Sequence, residues 1–320
     1  MKLQTNIPLK KQADNLIDYH SKILLLGSCF SENIGAKLSY FKFQSNQNPF
    51  GILFHPKAIE NLISRAVNEE SYTETDLNFN KERWHCLDAH SSLSASNKKD
   101  LLTNLNTALI DTKKQLEEAT HISITLGTSW VYKLIETGTV VANCHKIPQK
   151  KFLKEILSVA EISKVLKNSI ALIKVINTNA SVTFTVSPVR HLKDGFIENT
   201  RSKAHLIAAI HALVNPTNNT HYFPSYEIMM DELREYRFYK EDMIHPNTTA
   251  INYIWEKFVA TWFSKESQDT MHDIEVVQKG IAHKPFNESS NEHQRFLRNL
   301  ELKKKVLTQK YSFISFERKA

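Results

Sequence analysis

Three places in this chain gather side chains able to attack a carbonyl, move a proton or steady a charge. The first is Gly27-Ser28-Cys29-Phe30-Ser31-Glu32-Asn33-Ile34-Gly35, directly after the apolar run Ile23-Leu24-Leu25-Leu26. A buried strand, a glycine, two small nucleophilic side chains and a helix start make a strand-to-helix elbow. Such an elbow presents its side chain at the carboxyl edge of a sheet, beside free helix N–H groups. Those groups would lower the Cys29 pKa and favour the thiolate. A buried structural Cys29 with Ser28 as helix cap fits the same residues. The second place is Glu241-Asp242-Met243-Ile244-His245-Pro246-Asn247, a carboxylate three residues before a histidine. Asp242 would hold the imidazole tautomer while His245 takes a proton from a nucleophile. The third is the small-residue loop Gly127-Thr128-Ser129-Trp130, after the run Ile122 to Leu126.

Positioning these three places requires a sheet with helices on both sides. Short continuous apolar runs at residues 23–26, 122–126 and 182–186 predict buried parallel strands; residues 40–43 and 221–223 carry weaker strand patterns. Helical periodicity covers about 57–68, 98–118, 158–173 (opened by the capping box Ser158-Val159-Ala160-Glu161), 200–214 and the segment after Pro246. The alternation predicts an α/β fold, a three-layer α/β/α sandwich on a doubly wound, mainly parallel five-stranded sheet. Residues 131–143, centred on Glu136-Thr137-Gly138-Thr139, predict an inserted hairpin. From about Ser264 the chain reads as polar and loop-rich, then helical over 291–309. The expected organisation is a domain over residues 1–263 and a basic, mainly helical appendage over 264–320.

The block Ile-Leu-Leu-Leu-Gly-Ser-Cys-Phe-Ser-Glu-Asn-Ile-Gly resembles the first block of SGNH (GDSL-like) hydrolases, a strand followed by G-D-S-L-[ST]-x-x-x-G. The literal Gly27-Ser28-Cys29-Phe30 is similar to the GSCFA family, a bacterial branch placed with those hydrolases. So are Asn143-Cys144-His145-Lys146, Ser187-Pro188-Val189-Arg190-His191, Phe223-Pro224-Ser225-Tyr226-Glu227 and Asp242-Met243-Ile244-His245-Pro246. The resemblance covers about residues 20–255. It implies an acyl-ester hydrolase or acyltransferase with the nucleophile at Cys29 and the D-x-x-H pair at Asp242 and His245. It further implies an oxyanion hole from the amides of Cys29 and Gly51, with Ser129 at the position of the usual Asn. An acylated carbohydrate substrate also follows from the resemblance alone. Two departures stand out: Cys replaces the usual Ser, so the intermediate would be a thioester, and Ser129 is a shorter donor than Asn. The alternative nucleophile is Ser28, with Cys29 buried.

Composition narrows the partners. The net charge is +7, but residues 279–320 hold ten Lys/Arg against four Asp/Glu, so the body is nearly neutral and a nucleic-acid groove is not expected. The tail reads as a solvated helix or a contact for an acidic partner. Three widely spaced cysteines, Cys29, Cys86 and Cys144, do not form a disulfide framework and fit a reducing, cytoplasmic setting. The first residues lack a signal-peptide run, and no stretch reaches the length of a membrane span. Cys144 with His145 lacks the spacing of a zinc site, so no metal or cofactor is expected. Arg190 and His191 follow a strand and would reach the same sheet edge, for a substrate anion or for a structural ion pair. Trp84, His85, His90 and His205 fit either lining or core, whereas Trp255 and Trp262 belong to an apolar helix stripe. Two rivals remain: a non-catalytic carbohydrate- or protein-binding module on the same fold, and a flavodoxin-like nucleotide binder, for which Gly27 to Gly35 lacks the glycine density and the lysine of a phosphate loop.

Overall fold

The computed structural model describes residues 5–317. Among these residues the central sheet is five-stranded in the order β10-β9-β5-β1-β2, and every pairing is parallel. Its strands are β1 (Lys22–Gly27), β2 (Gln44–Gln47), β5 (His121–Leu126), β9 (Ser181–Val186) and β10 (Thr220–Tyr222). Between them run α1 (Cys29–Tyr40), α2 (Pro56–Val67), α3 (Lys98–Glu118), α4 (Val159–Ile176) and α5 (Phe196–His211). The single turn α6 (Ser225–Glu227) follows β10, and α7 (Thr248–Trp262), α8 (Lys265–Ala282) and α9 (Asn291–Lys310) close the chain.

The alternation of side chains along β1 divides the core. Leu24 and Leu26 join the cluster formed with α2, α3, α4 and α5, while Ile23 and Leu25 join the cluster formed with α1, α7, α8 and α9. Two hydrophobic layers therefore sit on the two faces of one sheet, which is the expected three-layer sandwich. The last helix is part of this plan. Leu300, Leu307, Tyr311 and Ile314 are buried in the same cluster as Trp255 and Trp262, and Tyr311 stacks on Tyr19 at 4.8 Å.

Four local expectations are corrected. Residues 40–43 are not a strand: α1 runs to Tyr40, and the edge strand β2 is the polar segment Gln44–Gln47, whose half-exposed position asks for few apolar side chains. The segment after Ser264 is helix α8, whose buried stripe includes Ser267 and Thr270 beside Met271, Ile274 and Val277. Small hydroxyl residues on that stripe hid its period. Helix α5 begins four residues early, at Phe196, capped by Gly195 in a positive-φ conformation. Finally β3 (Leu77–Asn80) and β4 (Arg83–Cys86) form an unexpected hairpin; its turn residues Lys81 and Glu82 adopt positive φ without the Asn or Gly that marks such turns.

The inserted hairpin is a three-stranded antiparallel sheet. To β6 (Trp130–Leu134) and β7 (Val140–Val141) it adds β8 (Phe152–Ile156), which pairs with β6 along its length. It stands over the carboxyl edge of the central sheet, at the end of β5.

The elbow depends on glycine. Gly27 has φ +129°, and a Cβ there would lie 2.1 Å from the Thr125 carbonyl oxygen. Its amide donates to Asn48 Oδ1 at 2.8 Å and its carbonyl accepts from Leu53 N at 3.0 Å. Gly27→Ala therefore meets backbone that cannot retreat. The expected cost is about 3 kcal/mol or more, measured as a lowered urea midpoint; an unchanged midpoint would refute this account of the elbow.

Candidate active site

Cys29 is the first residue of α1, and Ser28 is its N-cap. Ser28 is 1% exposed; its hydroxyl accepts from Phe30 N at 3.3 Å, and its amide donates to Thr125 O at 3.0 Å. The hydroxyl is thus occupied in ordering the helix start. Cys29, half-buried, lines a cleft of about 880 Å³ together with His245, Arg190, His191, Thr128 and Phe54. The placement expected for a Ser28 nucleophile, with Cys29 turned into the core, is not the one found.

The Asp242–His245 loop closes one side of the cleft. Asp242 Oδ2 lies 2.7 Å from His245 Nδ1, and Asp242 Oδ1 accepts the amides of Ile244 and His245, each at 2.9 Å. These donors hold the Asp242 carboxyl down at about 2, led by the backbone N–H of His245. Asp242 is therefore ionised at any working pH. A neutral His245 donates Nδ1–H to it, leaving Nε2 as the proton acceptor. Lys240 N donates to His245 O at 2.7 Å, and Arg190 N donates to Ile244 O at 3.2 Å, tying this loop to the segment after β9.

The Cys29 thiol departs from its expectation. Burial pushes its pKa up, and the Glu32 carboxylate adds to the shift; Lys203 and the residue's own amide pull the other way. Desolvation outweighs the helix terminus, so the resting group is a thiol rather than a thiolate.

Two donors expected for an oxyanion hole are also committed elsewhere. Gly51 N donates to Asn48 O at 2.7 Å in a tight turn, and a Cβ on Gly51 would strike His90. The side chain of Ser129 is fully buried and donates to Ser202 O at 3.2 Å. Neither residue lines the cleft. The amide of Cys29, at the open start of α1, remains as a donor there.

Arg190 and His191 do reach the cleft. The Arg190 guanidinium lies 4.1 Å from the centre of the Tyr239 ring and reaches Met243 O at 3.5 Å, so its main work is to clamp the Asp242 loop. His191 donates its amide to Asn199 Oδ1 at 2.9 Å. Burial first, then Lys203 and His245, depress its pKa to about 3, so the ring is neutral. Gly127 leaves room for it, since a Cβ there would sit 3.2 Å from His191 Nε2.

The residues that order this edge are on α5, and the sequence reading passed over them. Lys203, 1% exposed, donates from Nζ to Gly127 O and to Ser187 O, each at 2.7 Å. Ser202 Oγ accepts Ser129 N at 2.8 Å and meets Thr128 Oγ1 at 3.0 Å. With Asn199, these side chains pin the loops that follow β5 and β9. The signal available in the sequence was their position: Asn199, Ser202 and Lys203 share the buried stripe of α5 with Leu206, Ala209 and Ile210. Trp84, His85, His90 and His205 do not line the cleft: His85 is buried and bonds Ser94 and Asn80, and half-buried His205 bonds Leu157 O.

The fold and this site define a doubly wound α/β protein with a strand-to-helix elbow carrying Cys29 and an Asp–His pair at the carboxyl edge of its sheet. The GSCFA family model matches residues 22–258, and the model described as the GSCFA domain protein, C-terminal domain, matches residues 274–320. The chain belongs to the GSCFA family. No curated protein matches it. Among the described residues no helix is long and apolar enough to cross a membrane, and no group of three or more His, Cys, Asp or Glu side chains could hold a metal ion.

Lys203 generates a prediction with a defined sign. Burial lowers its pKa to about 7 from an ordinary 10.5. Between those values the unfolded chain binds more protons than the folded one, so this residue's contribution to stability rises with pH from about 7 toward 10. Comparing Lys203→Met with the unaltered protein, the stability gap should widen over that range in urea titrations. Near pH 9 the variant should lose about 2 kcal/mol or more for two orphaned carbonyls. A gap that narrows as pH rises would contradict the assignment.

Proposed function

We propose that this protein is an SGNH-type acyl-ester hydrolase or acyltransferase that uses Cys29 as its nucleophile. The observation that carries the reading is the 2.7 Å Asp242–His245 bond facing a cleft that Cys29 also lines. A carboxylate-oriented imidazole lining the same cleft as a thiol on a helix start supplies the parts that an activated nucleophile uses.

Because the resting group is a thiol, proton removal accompanies attack. As the Cys29 Sγ–acyl bond forms, its proton passes to His245 Nε2, and Asp242 steadies the resulting imidazolium. The Cys29 amide supports the developing oxyanion. Collapse of the tetrahedral intermediate expels the alcohol, which takes the proton from His245 and leaves a thioester. His245 then deprotonates water or an acceptor hydroxyl, whose attack releases the acyl group and restores the thiol. A small acyl group on a carbohydrate is the substrate class proposed, on the resemblance of the motifs. The free cysteines suit a reducing, cytoplasmic setting.

A second reading, a binding module on the same fold, draws support from Gly51 and Ser129 being spent away from the cleft and from the raised Cys29 pKa.

Intact-mass spectrometry with an activated acetyl ester, followed by peptide mapping, separates the two readings. The enzyme reading expects an acetyl adduct on Cys29 that forms about a hundredfold more slowly in His245→Ala. An adduct on Ser28 would move the nucleophile by one residue. Folded protein that acquires no adduct on either residue would favour the binding module.

A further inference from the structure

The walls of the cleft say more about what enters it. Two loops supply much of the lining: residues 143–149, from the inserted sheet, and residues 189–194, after β9. Both are anchored. His145 is buried, bonds Cys86 O at 2.7 Å and stacks on His85 at 4.6 Å, while Asn80 Nδ2 donates to its carbonyl at 2.8 Å. With His145 turned inward, its neighbours Cys144 and Lys146 line the cleft. In the second loop the Asn199 bond to His191 fixes the start of the turn that carries Lys193 and Asp194.

The charges on this lining are unequal. Lys146, Lys154, Arg190 and Lys193 line it against one carboxylate, Asp194, which Lys154 already pairs. Among the described residues Lys146, Lys193 and Arg190 have no carboxylate partner, in a chain where many other lysines do. Beneath them, Lys203 and Lys240 act on Cys29 with positive sign and Glu32 with negative sign, and Asp242 is engaged by His245. The start of α1 contributes further positive potential. Cations therefore outnumber free anions from the rim to the nucleophile, and a cleft with low-dielectric walls concentrates such a field. Its walls between the cations are apolar, among them Trp130, Ile147 and Leu192.

We infer that the acyl donor bound here carries an anionic group, carboxylate or phosphate, held between Lys146 and Lys193 while its ester reaches Cys29. This rests on the reading of Cys29 as the nucleophile and adds the charge of the substrate. The neutral body of the chain makes the concentration at the mouth local rather than a general property of the surface.

Alkylation tests it without knowledge of the substrate. Iodoacetate and iodoacetamide differ chiefly in charge, and peptide mapping reads Cys29 and Cys144 separately, with buried Cys86 as the internal control. At low salt the rate ratio of iodoacetate to iodoacetamide at folded Cys29 should exceed the ratio in urea-unfolded protein by roughly fivefold. The excess should shrink in 0.5 M salt and in the Lys146→Ala/Lys193→Ala double variant, read as the ratio of the two reagents so that any common change in thiol reactivity cancels. Protection of Cys29 by inorganic phosphate or by succinate would then assign the anion as phosphoryl or carboxylate. A folded ratio equal to the unfolded one, or one the double variant leaves untouched, overturns the inference alone. A Cys29 inert to both reagents that also acquires no adduct from the activated acetyl ester in folded protein overturns the nucleophile reading, and the inference with it.

Discussion

A lysine side chain buried among backbone carbonyls orders the carboxyl edge of this sheet. Lys203 reaches from α5 to the carbonyls that end β5 and β9, and so fixes the spacing of the two loops that flank the cleft. Taking a lysine Nζ out of water is costly; burial lowers its pKa to about 7, and well-placed acceptors satisfy its donors. The two 2.7 Å bonds supply those acceptors, and Ser202 and Asn199, on the same helix face, bind the adjoining loops. That polar stripe ties residues 127–130 and 187–191 to one helix, beside their own backbone bonds to Phe54, Leu126 and Ile244. With it, they form one rigid wall.

Around this wall the remaining parts fall into place by short-range constraints. The parallel sheet brings the ends of β1, β5 and β9 side by side, with Gly27 packed onto the Thr125 carbonyl. Asn48 holds the elbow from the next strand, and Ser28 spends its hydroxyl on the helix start, so Cys29 is the side chain left to the cleft. The Asp242 loop arrives from a distant part of the chain and is clamped by Arg190 through its backbone and through the Tyr239 ring. The inserted sheet then deepens a shallow sheet edge into a cleft. Burial that shapes the cleft also raises the Cys29 pKa, so the same packing that encloses the thiol keeps it protonated.

Much of this plan was legible in the sequence. The strands at 23–26, 122–126 and 182–186 are continuous apolar runs because both faces of a parallel strand are covered, and α3, α4 and α7 keep a clear helical period. The capping box at Ser158 and Glu161 forms as its spacing indicates. Less legible were elements whose burial is partial or polar. The edge strand β2 needs no apolar pattern, α8 buries hydroxyls in its stripe, and the turn at Lys81 and Glu82 lacks its usual residues.

For the site, the sequence by itself determined which residues could act: a thiol after a strand-ending glycine, and a carboxylate three residues before an imidazole. Those facts are local, set by chain spacing and by helix and turn geometry. Only the tertiary structure decided which groups are available. It shows Gly51 and Ser129 with their donors already engaged, because the competing acceptors come from Asn48 and from Ser202, the latter far along the chain. It also raised the Cys29 pKa, because desolvation depends on everything packed around the thiol, whereas the helix start that would lower it is a local feature. The role of Lys203 belongs to the same class: a lysine in a sequence reads as a surface charge until the fold removes its water and supplies two carbonyls instead.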